Sequence, residues 1–170
     1  MKMTHYMELL AANQPWNLIL FMAVPVVLAE TVAITELYIL YTRRLDNWVR
    51  SLNRAAGVAV GLYFLGIIVY LVTNAVIPIT RNEEWRTAID VIAVGAYLFA
   101  GVPLILIAFQ DLGLINNGVS VEKKLGTHAI YVALFLVLAH LAMIAGMTDP
   151  SLLGYQGPIH PMASKAGQGM

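Results

Sequence analysis

Four long apolar stretches constrain the fold of this chain more than any other feature. A helix that crosses a lipid bilayer needs about 20 mostly apolar residues. Four stretches meet this requirement, and they run from Trp16 to about Tyr41, from about Ala56 to Ile79, from about Trp85 to Phe109 and from about His128 to Met147. The connections between them are short. The sequence therefore predicts an all-α fold, with residues 1–170 forming one integral membrane bundle of four transmembrane helices preceded by a short surface helix over residues 4–12.

The composition excludes several classes of protein. Charged residues make up 12% of the chain, whereas a soluble domain carries about 25%. Ten basic residues balance ten acidic ones, so the positive charge typical of a nucleic-acid-binding protein is missing. The chain has no cysteine, which excludes disulfides, thiolate metal sites, Fe–S clusters and covalently attached c-type haem. Phosphate-binding loops, zinc-protease motifs and serine-hydrolase elbows are also absent from the sequence.

The distribution of basic residues predicts an orientation in the membrane. The connections after the first and third spans hold six of them: Arg43, Arg44, Arg50, Arg54, Lys123 and Lys124. The opposite side holds four: Lys2, Arg81, Arg86 and Lys165. Because loops rich in Lys and Arg stay in the cytoplasm, we expect these two connections on the cytoplasmic side and both termini on the outer side of the membrane.

Ionisable residues within the spans indicate where function could lie, since each costs about 2.5–3.5 kcal/mol at the bilayer centre. At about 1.5 Å of rise per residue, Met22 lies roughly 9 Å below the outer face and His140 roughly 10 Å. By the same count Glu36 lies roughly 30 Å deep, close to His128 at the cytoplasmic edge. The sequence thus predicts two levels at which candidate functional side chains meet, Met22 with His140 in the outer half and Glu36 with His128 at the inner edge.

A further polar site is predicted near the middle of the bilayer. Glu30 lies roughly 21 Å below the outer face, level with Tyr63 of the second span. Glu30 shares a helix face with Leu37 and Tyr41, and we expect this face to be turned into the bundle. Together with Glu36 and Tyr63, Glu30 would then form a proton path or a polar site facing a quinone.

A stripe of soft metal ligands marks the fourth span. His140, Met143 and Met147 follow the spacing i, i+3, i+7 and so share one helix face. Imidazole and thioether groups suit haem iron or copper, and the two terminal segments add His5 and His160. The leading hypothesis is an electron-transfer protein with haem b, bound by His140 and by Met22, His5 or His160. The alternative is copper held at the outer face by His5, His140, His160 and Met143.

Two further hypotheses need no cofactor. Gly57 and Gly61 lie four residues apart in the second span, a spacing that favours close helix packing. They could form a homodimer face or a docking seam for a larger respiratory-type membrane complex, to which this chain would be an accessory subunit. Alternatively, Glu30, Glu36 and Asp90 could conduct protons or ions, although Asp90 is also expected to complement the dipole at the start of the third helix.

The N-terminal sequence carries a family resemblance. The segments Met3-Thr4-His5-Tyr6-Met7-Glu8 and Asn13-Gln14-Pro15-Trp16-Asn17 resemble those of small bacterial inner-membrane proteins with four helices, some of which are labelled permeases. The resemblance implies the four-helix membrane fold and the bacterial inner membrane, where the predicted orientation places both termini on the periplasmic side. It implies no particular activity. The chain departs from the four-helix di-haem cytochromes, which place paired histidines on facing helices.

Overall fold

The residues that the computed structural model describes form four long helices. The described residues are 4, 7, 8, 11, 13–44 and 47–154. The helices are Trp16–Thr42 (α1), Trp48–Arg81 (α2), Ala88–Asp111 (α3) and Val121–Met147 (α4), and each is long and apolar enough to cross a membrane. A single 3₁₀ turn, Pro150–Leu153, follows α4. The prediction of an all-α transmembrane bundle of four helices is confirmed.

Two of the helices begin earlier than the sequence predicts. Helix α2 starts at Trp48 and α4 at Val121, whereas the apolar stretches start at about Ala56 and His128. The first turns of both helices carry basic residues, which lower the local hydropathy without preventing helix formation. Their long side chains can reach water while their methylene groups stay against the apolar surface. The predicted basic loops are therefore largely the first turns of α2 and α4.

The four helices form an antiparallel ring that is closed least tightly between α1 and α4. Helix α2 packs against both α1 and α3, and α3 packs against α4, whereas α1 and α4 contact each other more lightly. The ends at Trp16, Arg81, Ala88 and Met147 lie at what we call the termini face. The opposite ends, at Thr42, Trp48, Asp111 and Val121, lie at the basic face.

Small residues allow α2 and α3 to approach closely. A Cβ atom on Gly61 would lie 2.4 Å from Cβ of Ala108 and 2.6 Å from the Leu104 carbonyl oxygen. A Cβ atom on Gly57 would lie 2.9 Å from a methyl carbon of Ile107. The predicted close packing at Gly57 and Gly61 is confirmed, but it is internal to the chain. The proposal that these glycines form a homodimer face or docking seam is wrong, because α3 already occupies their surface.

Proline reshapes α1 beside the α1–α4 gap. Residues Ile19–Ala23 are π-helical, and Pro25 in the next turn has no N–H to donate. The carbonyl groups left without a helical donor find tyrosines on neighbouring helices. The Tyr63 hydroxyl donates to the Leu20 carbonyl at 3.1 Å, and the Tyr97 hydroxyl donates to the Phe21 carbonyl. Tyr63 therefore supports the α1 backbone and does not form the predicted site with Glu30.

The Tyr97 hydrogen bond yields a prediction about stability. Tyr97→Phe leaves the buried Phe21 carbonyl without its donor, which is expected to lower the free energy of unfolding by about 1–3 kcal/mol. Pro25→Ala returns a backbone N–H four residues after Phe21, so the same Tyr97→Phe change should cost less in that background. Reversible unfolding of all four proteins in mixed micelles measures this coupling. Equal costs in both backgrounds would show that the hydroxyl does not compensate for the proline.

The N-terminal segment is anchored to the termini face. The buried Thr4 hydroxyl donates to the Gly146 carbonyl at 2.7 Å. The Glu8 carboxylate accepts two hydrogen bonds from the Arg86 guanidinium, one of them at 2.9 Å. Of the predicted surface helix over residues 4–12, Met7, Glu8 and Ala11 are helical, and most of the others lie outside the described residues. These contacts place Met7 over the end of the gap between α1 and α4.

Candidate functional site

An apolar cavity of about 270 Å³ opens between α1 and α4 in the half of the bundle nearer the termini face. Phe64 and Tyr97 reach it from the other two helices, with ring centroids 5.4 Å apart. Phe135 of α4 packs edge-on against Phe64, at a centroid separation of 5.9 Å. These aromatic rings separate the cavity from the bundle interior, so its open side faces the surrounding lipid.

The cavity collects most of the soft ligands that the sequence predicts. It is lined by Met22 from α1, by His140 and Met143 from α4, and by Met7 from the N-terminal segment. Met22 and His140 thus lie at one level, as predicted, and His140 and Met143 share one face of α4, as predicted. Met147 does not line the cavity. The candidate metal ligands of α1 and α4 therefore face each other across the gap between these two helices.

The orientation of the His140 ring is set by its own helix. Its Nδ1 atom lies 2.6 Å from the Leu136 carbonyl oxygen, so a neutral ring carries its proton on Nδ1. The Nε2 atom then holds a free lone pair. Metal-binding histidines usually have this arrangement, in which one ring nitrogen donates to a carbonyl and the other binds the metal.

Glu30 also lines the cavity, but it is exposed. The prediction that Glu30 faces the interior of the bundle is wrong, and Glu36 is the buried acid of α1. Leu37 and Tyr41, which share the face of Glu30, are 64% and 90% exposed. Lipid is as apolar as a protein interior, so apolar neighbours do not reveal which side of a membrane helix faces inward.

A second group of polar residues lies near the basic face. Nδ1 of His128 on α4 is 3.7 Å from the Glu36 carboxylate on α1, and its Nε2 is 3.6 Å from the Asp111 carboxylate on α3. We call these three residues the basic-face triad. Glu36 and His128 therefore share a level, as the sequence predicts. The imidazole lies between two carboxylates, each just beyond hydrogen-bond distance.

The triad is largely buried, and most of its polar atoms have no hydrogen-bond partner. The side chains of Glu36, His128 and Asp111 are 1%, 3% and 13% exposed. Both Glu36 carboxylate oxygens, both His128 ring nitrogens and Oδ2 of Asp111 make no hydrogen bond. The large majority of buried side-chain polar atoms have a hydrogen-bond partner, so this concentration of unpartnered atoms in one place points to a role other than stability.

Helix α2 makes room for the triad and supplies a cation at its rim. A Cβ atom on Gly57 would lie 2.3 Å from Oδ2 of Asp111, so the carboxylate occupies the space that a larger residue would fill. Arg54 donates through Nε to the Asp111 carbonyl oxygen at 3.0 Å. One turn away from Gly57, Asn53 donates to the Val32 carbonyl at 3.1 Å and to the Thr35 hydroxyl at 2.9 Å. Unlike the triad, this neighbouring polar group is satisfied.

Asp111 is the functional candidate that the sequence analysis missed. The predicted third span ends at Phe109, which assigns Asp111 to a loop, whereas α3 continues through Asp111. Helical side chains lean toward the N-terminus of their helix, so this last residue turns its carboxylate back into the bundle. Leu104 and Ile107 are both fully buried, and Asp111 continues their spacing, which was the available signal.

The remaining predicted residues belong to neither the cavity nor the basic-face triad. Asp90 is buried in the first turn of α3 and accepts a hydrogen bond from the Arg86 backbone N–H at 3.1 Å, as expected for a helix N-terminal charge. His5 and His160 lie outside the described residues. Within residues 13–44 and 47–154 and the four described positions before them, no group of three or more His, Asp or Glu side chains is arranged to hold a metal ion.

Comparison with known protein families assigns the chain to one family. Residues 1–162 match DUF6803, described as a family of unknown function. The chain belongs to this family. No curated protein and no solved structure matches it. The cavity and the basic-face triad both lie within the residues matched to DUF6803, so both are features of the matched region.

Proposed function

We propose that this protein binds monovalent copper in the cavity between α1 and α4. The observation that carries the proposal is the meeting of one imidazole, His140, with three thioethers, Met7, Met22 and Met143, around a single apolar space. Thioether and imidazole ligands favour Cu(I) over harder cations. Methionine side chains have three rotatable bonds, which lets them turn toward an ion without moving the helices.

Charge balance supports a monovalent cation. Glu30 lines the same cavity and is open toward the lipid, where an isolated carboxylate is costly. A Cu(I) ion bound by neutral thioether and imidazole groups would keep its single positive charge. Glu30 then acts as the counter-charge, and ion and carboxylate together are neutral.

Haem b is the second candidate. Met22 and His140 come from facing helices, as the two axial ligands of a haem would. The cavity, however, has a volume of about 270 Å³, just below the range of roughly 300–1,000 Å³ for pockets that enclose drug-sized ligands. A metal ion fits this space directly, whereas a porphyrin requires α1 and α4 to move apart. The size of the cavity therefore favours copper.

The proposed setting is the bacterial inner membrane, with the termini face toward the periplasm. The basic residues on the opposite face, among them Arg43, Arg44 and Arg50, support this orientation through the positive-inside rule. Copper would then reach the cavity from the periplasmic side, past Met7 at the end of the gap between α1 and α4. His5 and His160, which precede and follow the bundle, are the proposed additional donors in the terminal segments.

Copper titration of the detergent-purified chain tests the proposal. Cu(I) is added under anaerobic reducing conditions in competition with a chromophoric chelator, and Ag(I) serves as a redox-inert analogue. We expect one tightly held ion per chain, lost in His140→Ala and weakened in Met22→Leu and Met143→Leu. Met147→Leu is the matched control, since Met147 lies one turn further along α4 but does not line the cavity.

The alternatives give different results in the same preparation. A visible spectrum with a Soret band that disappears in His140→Ala would establish haem in place of copper. Equal copper retention by Met143→Leu, His140→Ala and Met147→Leu would refute the cavity site. A chain that binds neither copper nor haem and is recovered only with other membrane proteins would support the accessory role.

A further inference from the structure

We infer that Glu36, His128 and Asp111 form a proton-binding site that exchanges with the aqueous phase at the basic face. This inference is independent of copper binding, because the triad and the α1–α4 cavity lie toward opposite faces of the bundle. It rests on three titratable side chains brought together from α1, α4 and α3, of which Glu36 and His128 are buried and Asp111 is partly buried. Two of them, Glu36 and His128, are more than nine-tenths buried and have no hydrogen-bond partner.

The three side chains of the triad differ in solvent exposure, which gives proton transfer a direction. Exposure falls from 13% at Asp111 to 3% at His128 and 1% at Glu36, so Asp111 lies at the rim and Glu36 at the inner end. One and two turns further along this face of α1 are Val32 and Ala29, both completely buried. The path therefore ends at Glu36, and the site opens toward the basic face alone.

The imidazole between the carboxylates can carry a proton from one to the other. A protonated Asp111 gives its proton to Nε2 of His128, and His128 releases the proton on Nδ1 to the Glu36 carboxylate. Asp111 becomes ionised, Glu36 becomes neutral, and His128 ends as the opposite neutral tautomer. Shifts of about 0.7 Å bring the 3.6 and 3.7 Å separations to ordinary hydrogen-bond distance.

Charged groups around the triad favour a proton over a second cation. The positive charges of Arg54 on α2 and Lys124 on α4 attract the Asp111 carboxylate. The Lys124 charge also repels a positive charge on His128. The Arg54 guanidinium is held close by its hydrogen bond to the Asp111 backbone. A metal cation entering at the rim would be repelled by both side chains, whereas a proton can be passed from group to group.

Infrared difference spectroscopy of the full-length protein in lipid tests this inference. Spectra recorded at stepped pH should show the C=O stretch of a buried carboxylic acid appearing as the pH falls. We expect this band to be lost in Glu36→Gln and kept in Glu122→Gln, a control at an exposed carboxylate near the same face. After a rapid pH jump, Asp111→Asn should delay the band by about a hundredfold, the lower end of what a positioned proton-transfer group contributes.

Other outcomes would overturn the inference. A carboxyl spectrum that does not change with pH, or a band that persists in Glu36→Gln, would show that the triad does not exchange protons. A band whose appearance depends on Na⁺ concentration would assign the site to a metal cation. If Glu36→Gln does not fold, the Asp111→Asn kinetics decide, because an unchanged rate would contradict access through Asp111. Removal of copper should leave all these signals unchanged, so failure here is separate from failure of the copper proposal.

Discussion

Gly61→Leu is expected to destabilise the bundle strongly, while Gly66→Leu on the same helix is tolerated. At Gly61 even a Cβ atom would lie 2.4 Å from Ala108 and 2.6 Å from the Leu104 backbone oxygen. A leucine there must push α2 and α3 apart, which should lower the free energy of unfolding by about 3 kcal/mol, the upper part of the range for overpacked cores. A Cβ atom on Gly66 has no atom within 4 Å.

The two glycine variants differ only in position, which makes the comparison direct. Leucine at position 66 faces lipid and removes a poor helix former, so its stability should equal or exceed that of the wild type by up to about 1 kcal/mol. Unfolding in mixed micelles, followed by circular dichroism, provides the measurement. Similar losses in both variants would mean that the cost comes from leucine in α2 generally and not from the α2–α3 contact.

Glu36→Leu is expected to stabilise the protein, and Asn53→Leu to destabilise it. Both residues are buried polar groups near the basic face, but Asn53 makes two hydrogen bonds and the Glu36 carboxylate makes none. Replacing Glu36 removes an unsatisfied polar group, a gain of about 1–3 kcal/mol. Replacing Asn53 discards formed hydrogen bonds, a loss of about 1–3 kcal/mol.

This contrast separates a functional acid from a structural one. A residue kept for proton binding can lower stability, because function and stability are often opposed at such sites. Thermal unfolding of Glu36→Leu, Asn53→Leu and the wild type gives the answer. If Glu36→Leu is destabilised as much as Asn53→Leu, then Glu36 stabilises the fold and the triad is a structural element.

The fold could be predicted because the membrane imposes a simple rule on sequence. Spans of about 20 apolar residues are required, and the four stretches match the four helices. The depths of Met22, His140, Glu36 and His128 followed from the helical rise, which is why both residue pairs are placed at common levels. Helix length and rise are local properties, and a single sequence contains them.

The helix faces could not be predicted in the same way. The alignment of Glu30 with Leu37 predicts that Glu30 faces inward, but Leu37 itself faces outward, because apolarity does not distinguish lipid from the protein interior. The common level of Tyr63 and Glu30 predicts that they form one site, whereas the Tyr63 hydroxyl donates to the Leu20 carbonyl near Pro25. The sequence does not indicate Asp111, because the apolar stretch that predicts the third span ends before the polar last turn of α3. Each of these errors concerns which neighbour a side chain meets, and tertiary packing decides that.

The ligand environment of the metal is the most direct test of copper binding by thioethers and one imidazole between α1 and α4. X-ray absorption at the copper edge of the Cu(I)-loaded protein should show sulfur scatterers together with one imidazole. In Met143→Leu the sulfur contribution should fall, while in Met147→Leu it should stay the same. Nitrogen and oxygen as the only nearest neighbours of copper, or identical spectra for the two leucine variants, would contradict copper binding in the cavity.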